Sequence, residues 1–301
     1  MSPRRAAPIV HPNRAFSVGE AQRHGVSRQR LRAADFEKPF YGIRAATRPM
    51  SFLDDRCRDF LPRMPLGGVY SHVTAAGLYS MPLPSRLSGR TELHISVPSE
   101  RRAVDAKGII GHRTTLGHRD SDRRFGYLVT TPERTWCDLA AMLTLPELVA
   151  VGDKLIARRL PQCRKENLTG AVERHGPRRG VRNLRRAIDL LSDRAESPRE
   201  SLLRVAIILA GLPAPTVNKS VFDASGRFLG RLDLSYPHLK LSMEYQGDHH
   251  RTDRVQWQRD IARTRALQAA GWTELQFTQA DLDNPAGFIA QLRFILARLT
   301  H

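Results

Sequence analysis

Asp233 and Glu244 are the residues of this sequence whose types and surroundings point to chemistry. Asp233 stands between Leu232 and Leu234 in "RLDLSYP", and Glu244 between Met243 and Tyr245 in "LKLSMEYQG". Strand alternation puts Leu239, Leu241, Met243 and Tyr245 on one face of the second segment and Lys240, Ser242, Glu244 and Gln246 on the other. If the two segments pair as a hairpin, the two carboxylates lie side by side across it. Adjacent carboxylates repel unless a proton or a cation lies between them, which raises one pKa or binds a metal. Oxygen ligands of this kind suit Mg2+ or Mn2+, which can hold a phosphate oxygen and activate an attacking water. The chemistry implied is phosphodiester hydrolysis.

The elements that must position this pair run from residue 196 to the end of the sequence. The order is helix "SPRESLLRVAIILAGL", strand "FDASGRFLGRLDLSYP", strand "LKLSMEYQG", helix "TDRVQWQRDIARTRALQAAG", strand "WTELQFT" and helix "NPAGFIAQLRFILARL". Ser197, Pro198 and Glu200 have the spacing of a capping box, Gly211 and Gly271 sit where helices end, and Asn284 with Pro285 opens the last helix. Two strands, a crossover helix and a third strand predict a small mixed sheet with helices on it. Trp257, Trp272 and Phe277 read as core aromatics.

This arrangement resembles the PD-(D/E)XK nuclease superfamily: a Glu on the first helix (Glu200), an Asp on a strand (Asp233), and Glu244-Tyr245-Gln246 on the next strand. More closely, "DLSYP", "KLSMEYQGDHH" and "DIARTRALQAAGWTELQFT" look like the Vsr-like endonuclease domains of unknown function, relatives of the very-short-patch mismatch repair endonuclease. The resemblance implies that Asp233 and Glu244 hold Mg2+ or Mn2+ and that Gln246 occupies the place where the superfamily often has Lys. Gln cannot carry the positive charge a Lys offers to the water or the phosphate. His250 matches a His of these domains and is assigned acid, base or phosphate-binding duty, with His249 the weaker candidate. Glu200 is the third catalytic carboxylate by resemblance, although the capping box by itself accounts for it. Asp260 and Arg263 can pair with one another at i and i+3, or Arg263 can touch phosphate.

Charge is consistent with a polyanionic partner. The 301 residues carry 48 Lys and Arg against 30 Asp and Glu, a net charge of +18. Such an excess attracts nucleic acid, because each neutralised phosphate releases condensed counterions, though a basic compositional bias also produces it. Residues 158–186 hold ten Lys or Arg against two Glu. That window reads as a basic helical linker beside the carboxylate domain, with Arg178 and Arg179 in "HGPRRG" as backbone contacts or as a solvated turn. No apolar run is long enough for a membrane helix, the N-terminal "MSPRRAAPIVHPNR" lacks a secretory apolar segment, and Cys57, Cys137 and Cys163 suggest no disulfide framework. A cytoplasmic protein without a membrane partner is expected.

Upstream, "FSVGEAQRHGVSRQRLRAADFEKPFYGIRA" reads as helix, turn, helix, strand, with Ser17 and Ser27 as N-caps and Gly25 as a stop. The order resembles the winged-helix module of AbiEi-type antitoxins, which implies a DNA-facing second helix carrying Arg28, Arg30 and Arg32. A small helical cap with a solvated basic helix is the plainer reading. Residues 69–157 read as an α+β module, with strand residues Leu93, Ile95 and Val97 and a helix opening at Pro132 after Thr131. Its "TTPERTWCDLA" resembles a segment of the same antitoxins, and Glu133, Arg134 and Asp138 look like a helix-start network.

The sequence therefore predicts an α/β protein, α+β overall. Its parts are a winged-helix-like module (1–50), an α+β middle module (51–157), a basic helical linker (158–195) and a PD-(D/E)XK-like mixed sheet flanked by helices (196–301). The expected function is metal-dependent DNA cleavage. The alternative is a DNA-binding regulator or antitoxin-like protein with an inactive nuclease-like domain. Whether the chain forms a homodimer or takes a toxin or regulatory partner stays open.

Overall fold

The computed structural model describes residues 14–47, 52–246 and 254–299, apart from the side chains of 254–260. The protein is an α/β fold made of two compact units, which part between Leu139 and Ala140.

The first unit opens with β1 (Phe16–Ser17), α1 (Val18–Arg23), a 3-10 turn at Arg30–Arg32, β2 (Phe36–Glu37) and β3 (Ile43–Ala46). The three strands form a small sheet in the order β1-β3-β2. The Ser17 hydroxyl accepts the Glu20 N–H at 3.1 Å, and the Ser27 hydroxyl accepts the Arg30 N–H at 3.1 Å, so both predicted caps form. The helix expected after Ser27 does not continue beyond a single 3-10 turn. Burying Leu31 with Ala21 and Val26 requires only one apolar contact from that segment, and no second apolar turn follows it.

After α2 (Leu53–Phe60) come β4 (Val69–Tyr70), α3 (His72–Leu78), α4 (Ser85–Ser88), β5 (Leu93–Pro98), β6 (Ile109–Thr114), β7 (Ser121–Arg124), β8 (Tyr127–Thr130) and α5 (Pro132–Leu139). The sheet order is β6-β5-β4-β8-β7, with β5/β6 and β4/β8 parallel and β4/β5 and β7/β8 antiparallel. Leu93, Ile95 and Val97 are fully buried on one face of β5, as their alternation predicts. Arg134 is buried in α5 and bound by Asp138 at 2.8 Å, Asp120 at 2.7 Å and the Thr114 hydroxyl at 2.7 Å. These bonds join α5 to the loop between β6 and β7 and hold the fold together there.

The second unit contains α6 (Leu145–Ile156), α7 (Lys165–His175), α8 (Val181–Leu190), α9 (Pro198–Leu209), β9 (Thr216–Phe222), β10 (Phe228–Tyr236), β11 (Leu241–Tyr245), α10 (Arg254–Ala269), β12 (Thr273–Phe277), α11 (Gln279–Asp283) and α12 (Ala286–Leu299). The basic window is thus two packed helices and not a linker. Leu168, Ala171, Val172, Leu184 and Ala187 are buried on their inner faces while the arginines face outward. At Gly180 (φ +91°) a Cβ would lie 2.7 Å from the backbone of Ala140, which is why the "PRRG" turn needs glycine there. Asp153 of α6 anchors the next layer. Its carboxylate accepts Arg204 and the Ser201 hydroxyl from α9, each at 2.7 Å, and the Ser192 N–H at 2.7 Å.

The site-bearing sheet has the order β12-β11-β10-β9, with β11 and β12 parallel through α10 and the other pairs antiparallel. This is the predicted mixed sheet, except that the long first strand is a hairpin. Asp223 makes its turn, accepting the Ser225 hydroxyl at 2.6 Å and the Ser225 and Arg227 N–H groups at 2.9 Å. These bonds, the hydroxyl's foremost, hold its carboxyl at about 2. Leu234, Leu241, Met243 and Phe277 pack against Leu203, Ile207, Phe288 and Leu292 on one face, and Val221, Leu229 and Leu232 pack with Leu267 in a separate cluster. Trp272 flanks that second cluster; the Trp257 side chain lies outside the described residues.

Candidate active site

The pairing of β10 with β11 decides where the acids fall. Leu234 opposes Met243 and Ser235 opposes Ser242, a register that brings Asp233 and Glu244 opposite one another. Each acid is bonded to the other's strand. The Asp233 N–H donates to Glu244 Oε1 at 3.3 Å, and the Tyr245 N–H donates to Asp233 Oδ2 at 3.5 Å. Burial, with Asp233 as the second cause, pushes the Glu244 carboxyl up to about 7. Burial likewise raises Asp233.

A cation stands against this pair. The guanidinium of Arg263, from α10, lies 3.2 Å from Glu244 Oε1 and donates to the Arg231 carbonyl at 2.8 Å. Gly230 makes room for it, since a Cβ there would lie 2.7 Å from Arg263 Nε. The guanidinium therefore pairs with a carboxylate of the site. Asp260, its suggested partner at i−3, has its side chain outside the described residues.

Glu200 is 5% exposed and near enough to Asp233 to feel its charge. Burial raises its pKa, with Asp233 adding to the effect. Its carboxylate is spent on neighbours, accepting Asn218 Nδ2 at 2.5 Å and the Glu196 N–H at 3.0 Å. Only half of the predicted capping box forms as expected. The Ser197 hydroxyl accepts the Glu200 N–H at 3.2 Å, but the carboxylate reaches past Ser197 to residue 196 because Asn218 pulls it toward β9. Among the described residues Glu200, Asp233 and Glu244 do not form a three-ligand cluster with their oxygens within 4.8 Å of one another. The site is a carboxylate pair with a third acid held alongside.

Gln246 is exposed just beyond β11, and its N–H donates to the Phe277 carbonyl at 2.8 Å, which fixes the strand end beside Glu244. His249 and His250 lie outside the described residues. Arg231 is exposed and ion-paired with Glu196, and Arg199 lies 4.4 Å over the Tyr245 ring. Sequence reasoning passed over Arg231, Arg199, Glu196 and Asn218. The only local sign was Arg231 two residues before Asp233, on the same strand face.

The expected DNA contacts are dispersed. Arg28 and Arg32 are exposed, but Arg30 is held by Asp35 through two bonds of 2.7 and 2.6 Å and lies over the Phe36 ring. Arg179 is exposed and Arg178 half-buried in the turn between α7 and α8.

The donor set fits a hard divalent ion. Two carboxylates supply only oxygen, and burial foremost raises the pKa of both, with Arg263 opposing the shift in each. Mg2+ is commonly held by one or two carboxylates and completes its shell with water and substrate phosphate.

No family model matches the chain. It is similar to two uncharacterized proteins of Mycobacterium tuberculosis, MT2308 of strain CDC 1551 and Rv2248 of strain H37Rv. Each is 28% identical over 258 residues, covering 83% of this chain and 88% of the relative. Among solved structures it is similar to the RV2827C protein of M. tuberculosis, with 16% identity, a TM-score of 0.42, and coverage of 70% of this chain and 84% of that one. Among the described residues, no helix is long and apolar enough to cross a membrane.

Proposed function

We propose that this protein is a metal-dependent DNA endonuclease that hydrolyses phosphodiester bonds at the Asp233–Glu244 pair. One observation carries the reading: two carboxylates opposed across β10 and β11, one of them with its pKa raised to about 7. Asp233 and Glu244 are the residues that would hold Mg2+ or Mn2+. Bound there, such an ion lowers the pKa of water and offsets charge developing on the phosphate.

The remaining steps belong to the chain itself. Arg199, exposed over the ring of Tyr245 next to Glu244 in the chain, binds and orients a phosphate of the backbone. Arg263 holds Glu244 in place and lowers its proton affinity. Gln246 offers an amide to the phosphate without a charge. Arg28, Arg32 and Arg179 supply sequence-independent attraction to DNA. Cytoplasmic location accords with this substrate and is part of the same proposal.

The reading is tested by nicking of supercoiled plasmid in Mg2+ or Mn2+. Cleavage is expected from the native chain and lost in Asp233→Asn and in Glu244→Gln. Cleavage that survives in both variants overturns the assignment.

A second reading, a DNA-binding regulator or antitoxin-like protein with an inactive nuclease-like domain, is favoured by Gln246 and by the guanidinium already on Glu244. Salt-dependent DNA binding with no cleavage, and with no heat of Mn2+ binding at the acid pair, is the result that selects it.

A further inference from the structure

Three histidines from three separate segments meet in the first unit. His72 opens α3, His94 lies on β5 and His112 on β6. Ser96 opposes His112 in the parallel pairing of β5 with β6, so His94, Ser96 and His112 share one face of the sheet. The His72 and His112 rings stack at 3.7 Å and 11°, and the His94 ring centroid is 5.1 Å from that of His112 and 5.7 Å from that of His72. One nitrogen from each imidazole lies within 4.8 Å of those of the other two.

Hydrogen bonding within the protein does not use up this cluster. His94 Nδ1 and His112 Nε2 are 2.9 Å apart, a contact that needs one proton or one cation between two nitrogens. His72 Nδ1 meets the Ser71 hydroxyl at 2.9 Å, which leaves its Nε2 for another partner. His94 is 1% exposed, and its Nε2 has no hydrogen-bond partner among the described residues. Buried polar atoms are ordinarily satisfied, and an apolar residue in this place would avoid the desolvation altogether.

The electrostatics favour neutral rings with lone pairs to donate. Burial lowers the pKa of all three, that of His94 to about 4, and the neighbouring imidazoles lower His72 and His94 further. Arg134 adds positive charge near His72, but Asp120 and Asp138 bind its guanidinium at 2.7 and 2.8 Å.

We propose that His72, His94 and His112 form a binding site for a divalent first-row transition cation, Zn2+ foremost. Imidazole nitrogens suit Zn2+ and its neighbours and not Mg2+, so this site is chemically separate from the acid pair and does not rest on the nuclease reading. Zn–N bonds of about 2.0–2.1 Å place ligand atoms closer together than 4.8 Å. Imidazole lone pairs lie in the ring plane, so the stacked rings of His72 and His112, both half-buried, must turn out of their parallel stack for both to point at one ion. Three protein ligands leave a fourth position for water or a small anion. The bound ion ties the start of α3 to β5 and β6.

The test uses the untagged full-length chain at neutral pH, titrated with Co2+ and then Zn2+. Expected are the visible ligand-field bands of low-coordinate Co2+ at one ion per chain, displaced by one equivalent of Zn2+, and a rise in Tm with Zn2+. His112→Ala and His94→Gln are expected to weaken binding by about 100-fold or more, since losing a ligand costs more than the roughly 10–100-fold lost with an outer partner of a ligand. Asp233→Asn/Glu244→Gln is expected to leave the bands unchanged, which separates this site from the acid pair. His112 is half-buried, so if His94→Gln does not fold, His112→Ala decides alone. Absence of a stoichiometric Co2+ spectrum, or its persistence in His112→Ala, overturns the proposal.

Discussion

The Arg263 guanidinium lies 3.2 Å from Glu244 Oε1, nineteen positions away in the sequence, and this contact is the main influence opposing the burial and the Asp233 charge that raise the Glu244 pKa. Removing it in Arg263→Ala raises the Glu244 pKa further above its present value near 7. The side chain is one-third exposed and Glu244 can take up a proton, so the stability cost is about 1 kcal/mol. Gly230→Ala is expected to imitate this variant, because its methyl group occupies the path of Arg263 Nε. Carboxyl titration of Glu244 by NMR checks both; an unshifted titration in Arg263→Ala refutes the coupling.

Stability falls with rising pH as Glu244 titrates. Its folded pKa, about 7, lies above the 4.5 of the unfolded chain. Between these values the unfolded chain releases a proton that the folded chain keeps, so the contribution is full below about pH 4.5 and is lost as pH rises to about 7. Over these roughly 2.5 pH units the loss is on the order of 3–4 kcal/mol at about 1.4 kcal/mol per unit. Urea unfolding at a series of pH values should show this slope in the native chain and a flatter one in Glu244→Gln. On the proposed function, cleavage should rise through the same upper limit, as the carboxylate becomes free to hold the ion.

Asp153 holds the second unit together. Asp153→Ala leaves Arg204 buried without its carboxylate, and is expected to cost about 3–5 kcal/mol. Replacing both partners, as in Asp153→Leu/Arg204→Met, should restore much of this stability. Chemical denaturation of the three chains measures it; equal destabilisation of the single and double variants contradicts the account.

DNA binding distinguishes the exposed arginines of the N-terminal segment from the one that Asp35 holds. Arg28→Ala/Arg32→Ala should lower the salt dependence of affinity by about 2 in the log–log slope, roughly one for each phosphate that is no longer neutralised. Arg30→Ala should change it little, because Asp35 already holds that guanidinium. Binding isotherms over a salt series provide the measurement. A larger effect from Arg30 than from the other pair would reverse this assignment.

The sequence by itself determined the features that close within a few residues. The Ser17, Ser27 and Ser197 caps, the left-handed glycines at 25, 211 and 271, the α5 start at Pro132 and the alternation of 241–245 all appear where local spacing puts them. Each depends on backbone hydrogen bonds or side-chain direction over one turn or one strand. The opposition of Asp233 and Glu244 was also legible, because alternation and a short hairpin leave few registers that keep Leu234, Leu241 and Met243 buried together.

Only the tertiary structure decided the rest. The unit boundary falls at Leu139 and Ala140 because α6 finds its partners in α8 and α9, through bonds such as that of Asp153 with Arg204. The basic window packs because every few residues it offers an apolar one to that layer, a pattern its charge conceals. Arg263 turns to Glu244, Glu200 to Asn218, and His72 meets His94 and His112 across α3, β5 and β6. No short spacing announces these pairings. They are set by which buried faces come together, and a buried polar group then takes whichever partner that packing places within reach.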